Sequence, residues 1–269
     1  MYCCPKCRTI LQKKDRSYVC ENGHVYDLAK EGYVNLLLAN MKRSKDPGDP
    51  KDSRQSRKAF LSKGYYQPLA EQLNVWIAKN LPKGGSFLDA GCGTGYYLQR
   101  AMEARPDGCY DAVDIGKEAV RICAKLNPNA NCAVASVFHL PVADGAYDMA
   151  MSVFCPYSKE EFARIIKPGG VLLAVMPGKK HLFELKEVVY DNPYENEEAG
   201  YKLDDEFVLE ESCKVTDFIH LSGNDDIRAL WNMTPYVHKT SPKDTEKLFA
   251  REQLDTTIDF LVMKYRRKG

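Results

Sequence analysis

From about residue 69 the apolar positions fall into a repeating order of short continuous runs and helical stripes. Leu69, Leu73, Trp76 and Ile77 recur at helical spacing and predict a helix that ends before Pro82-Lys83-Gly84-Gly85. Phe87 to Ala90 reads as a first strand and Tyr97 to Ala104 as its crossover helix. Tyr110 to Asp114 reads as a second strand, with a helix through Val120 and Ile122 after it. Ala133 to Ala135 predicts a short third strand, Tyr147 to Phe154 a fourth, and Val171 to Met176 a fifth. A helix from Phe162 to Ile166 precedes the turn Pro168-Gly169-Gly170. Two further strands, around Phe207–Ile219 and Thr257–Tyr265, flank helices. Strand–helix alternation with wholly apolar strands predicts an α/β fold whose mostly parallel sheet is covered on both faces.

Upstream the pattern changes twice. Residues 1–34 are rich in cysteine and turn residues. Residues 35–68 are charged and interrupted, with Asp46-Pro47-Gly48-Asp49-Pro50 as a strong loop signal. The expected division is therefore a small module over 1–34, a basic linker or helical segment over 35–68, and a large domain over 69–269. Hydrophobic residues make up 44% of the 269, enough for a sizeable core. No run approaches about 18 consecutive apolar residues, and no apolar signal core opens the chain, so a cytoplasmic protein without membrane attachment is expected.

The net charge of +1 hides an uneven distribution. Residues 1–68 hold 14 Lys and Arg against 7 Asp and Glu, whereas the remainder holds 24 against 30. A basic front on an acidic body suits a polyanion held by the first 68 residues; a solvated basic surface is the plainer alternative. The candidate phosphate contacts are Lys42, Arg43, Lys45, Arg54, Arg57 and Lys58, which would position a phosphate-bearing polyanion through its backbone.

Ten cysteines do not form a disulfide framework here, because four lie in the first twenty residues and six are scattered through strands and helices. Cys4, Cys7, Cys20 and His24 form C-x2-C-x12-C-x3-H, two closely spaced pairs that converge on a tetrahedral zinc ion. A register using Cys3 in place of Cys4 has the less common spacing. Four protein ligands leave no open position, so the zinc is structural and supplies much of the stability of a module too small to fold alone.

Asp89-Ala90-Gly91-Cys92-Gly93-Thr94-Gly95 places a glycine-rich turn directly after the first strand. Gly91, Gly93 and Gly95 let the backbone approach a ligand closely. Asp89 either orients the loop or accepts from the amino group of an amino-acid-like ligand. Asp114, ending the second strand, is positioned to accept both ribose hydroxyls; the alternative is an exposed acid at a strand end. These motifs, with Lys167-Pro168-Gly169-Gly170 before the fifth strand, resemble class I S-adenosylmethionine methyltransferases. That resemblance implies a Rossmann-like, mostly parallel seven-stranded sheet. Ser136 stands where that family contacts adenine, in place of the more common acid or amide.

The order of features is more specific still. The zinc cysteines are followed by Asp27-Leu28-Ala29-Lys30-Glu31-Gly32-Tyr33-Val34-Asn35-Leu36-Leu37, then Lys42 to Asp49, Arg57 to Leu61, and Tyr66-Gln67-Pro68-Leu69. With Pro177 to Leu182 and Asn232-Met233-Thr234-Pro235-Tyr236, this run resembles the RlmA family, the 23S ribosomal RNA guanine-N1 methyltransferases, over nearly the whole chain. The resemblance implies a zinc module that recognises an RNA hairpin, a Rossmann-like catalytic domain, and a homodimer with an RNA cleft between protomers. Tyr66, Thr94, Gly95 and His181 match positions that contact the cofactor. Without that match, Tyr66 would be read as packing a domain junction and His181 as capping a helix.

Guanine N1 carries a proton and lies on the pairing edge, so the base must leave its stack and the proton needs an acceptor or a water relay. The sequence names no such acceptor, and Asp27 and Glu31 stand far from the cofactor loop in sequence. Cys155, in Ser152-Val153-Phe154-Cys155-Pro156, is read as a buried or pocket-lining thiol rather than a nucleophile, with Phe154 and Pro156 walling the base pocket. The rival readings are a small-molecule methyltransferase and an RNA-binding protein with an inactive methyltransferase domain.

Overall fold

The computed structural model describes residues 2–41, 44, 47–198, 200–203 and 205–269. The chain opens with three short strands, β1 (Gln12–Lys14), β2 (Ser17–Val19) and β3 (Val25–Asp27), paired antiparallel. The two-residue strand β4 (Val34–Asn35) follows. Helices α1 (Lys51–Ser62) and α2 (Gln67–Asn80) come next, the second opening with Pro68 and stopping at Leu81 before Pro82.

The large domain then runs β5 (Ser86–Ala90), α3 (Tyr96–Ala104), β6 (Cys109–Asp114), α4 (Lys117–Leu126), β7 (Asn131–Val134), β8 (Tyr147–Val153), α5 (Lys159–Ile165) and β9 (Ile166–Pro177). It continues with α6 (Phe183–Val189), β10 (Phe207–Ser222), α7 (Asn224–Asn232), α8 (Pro242–Phe249) and β11 (Gln253–Arg267). The sheet order is β10-β11-β9-β8-β5-β6-β7-β4. Every pair from β9 to β4 is parallel, and β11 runs antiparallel between β9 and β10. Leu88, Ala90, Val113, Ala150, Leu172 and Leu173 are all essentially fully buried, as strands covered on both faces require.

The sheet has eight strands where the resemblance implied seven. The extra strand is β4, which comes from the segment joining the cysteine-rich front to the body: Val34 pairs with Ala133, and the Leu36 N–H donates to the Val134 carbonyl. A two-residue strand carries no periodicity, so nothing in the sequence marks it. The front is joined to the same sheet edge at further points. The Tyr2 hydroxyl donates to the Asn131 carbonyl at 2.7 Å, the Cys3 N–H to Pro141, and the Arg8 guanidinium to Leu140. Tyr2, Cys4, Leu11, Tyr18 and Cys20 share one apolar cluster with Val113, Ala133 and Val142.

The order of strands reverses between β5 and β8, so a crevice opens at their carboxyl ends, where doubly wound sheets bind ligands. The α1–α2 junction closes one side of it. Lys63 and Tyr65 both bond the Asp226 carboxylate at the start of α7, the Tyr65 hydroxyl at 2.6 Å. No helix among the described residues is long and apolar enough to cross a membrane.

Candidate functional site

Two sites stand out. In the first, Cys4, Cys7, Cys20 and His24 converge with all four ligand atoms within 4.8 Å of one another. His24 Nδ1 lies 3.4 Å from the Sγ of Cys4 and of Cys20 and 3.6 Å from that of Cys7, and the Cys7 and Cys20 sulfurs are 3.7 Å apart. Zinc bonds of about 2.3 Å to sulfur and 2.0 Å to nitrogen, set tetrahedrally, give edges of roughly 3.5–3.8 Å. The donor set therefore fits a structural zinc, with Cys4 rather than Cys3 in the cluster. The Cys3 backbone instead pairs with Ile10.

The second is a cavity of about 690 Å³ in the crevice. Of the residues expected to hold the cofactor, Tyr66, Asp89, Gly91, Gly93, Thr94 and His181 line it; Gly95, Asp114 and Ser136 do not. The three loop glycines, all at positive φ, do two different jobs. A Cβ on Gly91 would lie 2.2 Å from the Cys155 sulfur, and one on Gly95 would meet Asn127 and Cys123 at 2.5 and 2.7 Å. Those two are small because the protein packs against them. Only Gly93 faces open space, with nothing nearer than the Arg57 guanidinium at 3.8 Å, so close approach to a ligand is its role alone.

Asp114 accepts from the Gly93 N–H at 3.0 Å and the Gly116 N–H at 2.7 Å, so it holds the loop. Burial raises its pKa, and these two N–H groups oppose the rise. Ser136 accepts from the Phe138 N–H at its own turn. Asp89 is different. It is 2% exposed, accepts no hydrogen bond among the described residues, and is pushed up to about 8 by burial and by the neighbouring Asp114. The Tyr97 hydroxyl, on the same cavity, is also buried with no partner. An unpaired buried carboxylate, an unpaired hydroxyl and an open glycine fit a cationic amino-acid ligand such as the methionine end of S-adenosylmethionine.

Arg57 corrects the sequence reading. It was expected on a phosphate-binding surface, but it lines the cavity and pairs with Asp49 at 2.8 Å. Arg54 is also withdrawn from that surface, being 7% exposed with its guanidinium donating to the Asp49 carbonyl. Lys58 is exposed. Lys42, Arg43 and Lys45 lie outside the described residues. No sequence signal separated Arg57 from its neighbours, because its inward direction follows from how α1 docks.

His181 is held by β11. Its Nδ1 accepts from the Asp259 N–H at 3.3 Å, so its proton sits on Nε2, 3.4 Å from the Tyr66 hydroxyl. Burial lowers its pKa to about 3, and the neutral ring leaves the Tyr66 proton free to point into the cavity. The Asp259 carboxylate fills the space over Gly178 and accepts from the Lys180 N–H, fixing the turn before His181. Phe154, at φ 53° on the end of β8 and 41% exposed, stacks toward His181. Cys155 packs on Gly91, and burial pushes its thiol up to about 12, which keeps it protonated.

The far wall, from Tyr194 to Glu197 and from Met233 to Lys239, was not found from sequence. Its anchor is Asn196. That amide donates to the Gly178 and His181 carbonyls and accepts from Lys186 Nζ at 2.6 Å and from the Tyr236 hydroxyl. Lys186 is fully buried and also donates to the Tyr194 carbonyl.

Comparison with known proteins gives a consistent picture. Residues 2–45 match the family model described as RlmA, N-terminal, and residues 87–170 match one described as Methyltransferase domain. A 23S rRNA (guanine(748)-N(1))-methyltransferase from Streptomyces fradiae is 41% identical over 190 residues, covering 69% of this chain and 66% of the relative. A relative from Micromonospora griseorubida, whose provisional name is 23S rRNA (guanine-N1)-methyltransferase, is 34% identical over 68% of this chain and 67% of its own length. One from Bacillus subtilis with the same provisional name is 28% identical over 96% of this chain and 94% of its own. Among solved structures, the complex of the Haloferax volcanii Trm112 activator and a methyltransferase aligns with a TM-score of 0.52 at 15% identity. It covers 83% of this chain and 100% of that chain and bears on the fold alone.

Two outcomes follow. Removing the zinc by chelation or by Cys20→Ser should speed amide exchange across residues 2–36 and at the β7 edge while β9 stays protected, as expected for a module stapled by its metal. Unchanged exchange at residues 2–36 would refute that role. For Asp89, the carboxyl is protonated below about pH 8, and a cationic amino group binds its ionised form, so affinity must fall as pH drops. Calorimetry should show S-adenosylmethionine binding weaker by several-fold at about pH 6.5 than at about pH 8, with the trend absent in Asp89→Asn. A flat wild-type profile would sink this assignment.

Proposed function

This chain belongs to the RlmA family of 23S rRNA guanine-N1 methyltransferases, and from that premise we propose that it methylates N1 of one guanine within a 23S rRNA hairpin. The observation that carries the reading is the joining, in one chain, of a zinc cluster to a sheet whose crevice holds an unpaired buried carboxylate beside a glycine turn. When bound, S-adenosylmethionine supplies an electrophilic methyl group on a sulfonium, a good leaving group, so orientation provides most of the acceleration.

On this reading Asp89 takes the cofactor's amino group, Asp114 its ribose and Ser136 the adenine side. Gly91, Gly93, Thr94 and Gly95 form the turn beneath it, and Tyr66 and His181 close the methionine end. Arg57 answers the methionine carboxylate. Phe154 and Tyr194, both exposed aromatic side chains on the cavity, offer faces for an extruded guanine, and the exposed Lys239 on the cavity has no ion pair among the described residues and suits a phosphate. Residues 1–34 serve as the RNA-recognition module, 35–68 as the basic linker or helical segment, and 69–269 as the catalytic domain. A homodimer with the hairpin in the cleft between protomers, working in the cytoplasm without membrane attachment, completes the proposal.

The test is primer extension on 23S rRNA from cells with and without the gene, starting with the position that the Streptomyces fradiae relative is named for. A methyl on N1 blocks pairing, so the expected stop disappears on deletion and returns on complementation. Absence of any difference along 23S rRNA would overturn the substrate and leave the cofactor site standing. The protonated thiol of Cys155 makes a covalent route unnecessary, so Cys155→Ala should retain roughly a third or more of the wild-type kcat/KM. Complete loss in a folded variant would count against this account.

A further inference from the structure

Methylation at guanine N1 needs a base, and the residues described so far provide none. Three carboxylates line the cavity: Asp89, Glu195 and Glu197. Asp89 lies buried at the cofactor loop with its protonated form favoured. Glu195 is bound to Lys180 at 2.7 Å, and that ammonium holds its carboxyl below the usual range. Glu197 has no ion pair or hydrogen bond among the described residues and stands exposed on the wall opposite the cofactor loop.

The segment that carries Glu197 has no helix or strand, yet it is not loose. Asn196 is tied by its N–H to the Lys179 carbonyl, by its amide to Gly178 and His181, and by its side-chain oxygen to Lys186 and Tyr236. Burying a lysine amine is costly unless its hydrogen bonds are met, and both donors of Lys186 found here go to this segment. Resting on the methyltransferase reading above, we propose that Glu197 is the catalytic residue that accepts the guanine N1 proton, and that Asn196 and Lys186 are positioning residues that hold it at the cavity.

The step balances. Guanine N1 forms a bond to the methyl carbon as the bond from that carbon to sulfur breaks, the sulfur keeping the electron pair. The N1 proton passes to a Glu197 oxygen and from there to water, which the exposed side chain reaches directly. A base of this kind contributes about 10²–10⁴-fold.

The experiment uses the full chain and a 23S rRNA hairpin fragment, following methyl transfer across pH together with RNA and S-adenosylmethionine binding. Glu197→Gln is expected to lower kcat by about 100-fold or more with RNA and cofactor affinities unchanged. Its rate should rise steadily with pH where the wild-type rate is level, because hydroxide then removes the proton. Glu197→Asp should recover part of the loss. Near-normal turnover by Glu197→Gln, or parallel pH profiles, or a large loss in Glu195→Gln with Glu197→Gln unaffected, would overturn the proposal. A wild-type protein that transfers no methyl to guanine N1 would instead refute the function on which it rests.

Discussion

The site is organised around an acid, Asp89, that the fold buries without a cationic partner among the described residues and so holds protonated up to about pH 8. Asp89 lies at the end of β5 at 2% exposure, with the charge of Asp114 raising its pKa further and no donor to satisfy it among the described residues. Such an arrangement costs stability in the empty protein, and folded proteins keep it where a ligand completes it. Around Asp114, Asp49 adds to the negative field and Arg57 on α1 opposes it. A ligand with an ammonium and a sulfonium relieves this imbalance, which a neutral ligand leaves in place. On the proposed reading, recognition of the cofactor would depend on charge that the fold withholds as much as on contacts that it offers.

The neighbouring parts keep that carboxylate where it is. Gly91 lets Cys155 close against the loop from β8, Gly95 lets α3 sit on α4, and Asp114 fastens the Gly93 backbone. His181 and Tyr66 come from elements far apart in sequence and meet because Asp259 on β11 fixes one and the α1–α2 junction on Asp226 fixes the other. Their neutral states follow from burial and leave the Tyr66 hydroxyl proton free for the ligand space, beside the unpartnered Tyr97 hydroxyl.

What the sequence revealed follows this division. The zinc ligands and the strand-to-glycine turn are each defined by spacing within a few residues, and local spacing survives in a one-dimensional reading. The parallel strands were legible because burial on both faces leaves continuous apolar runs. Arg57 was misplaced because direction on a basic helix is decided by what the helix packs against. Strand β4 was missed because two residues hold no period. The far wall was missed because Asn196, Lys186 and Tyr236 come together only through tertiary packing. The three glycines were read as one motif with one purpose; atom-level crowding separates them.

The seam between the cysteine-rich front and the sheet has a mechanical consequence. Tyr2 on Asn131, Cys3 on Pro141, Arg8 on Leu140 and β4 on β7 leave no swinging linker between the metal and the parallel strands. Two tools on a flexible tether reach many places on a substrate. Two tools cast in one block are a caliper, and the span between its jaws is set at folding. On the proposed reading, an RNA gripped at one jaw would present to the other only the nucleotide at that fixed distance, and target choice would become a matter of measured length.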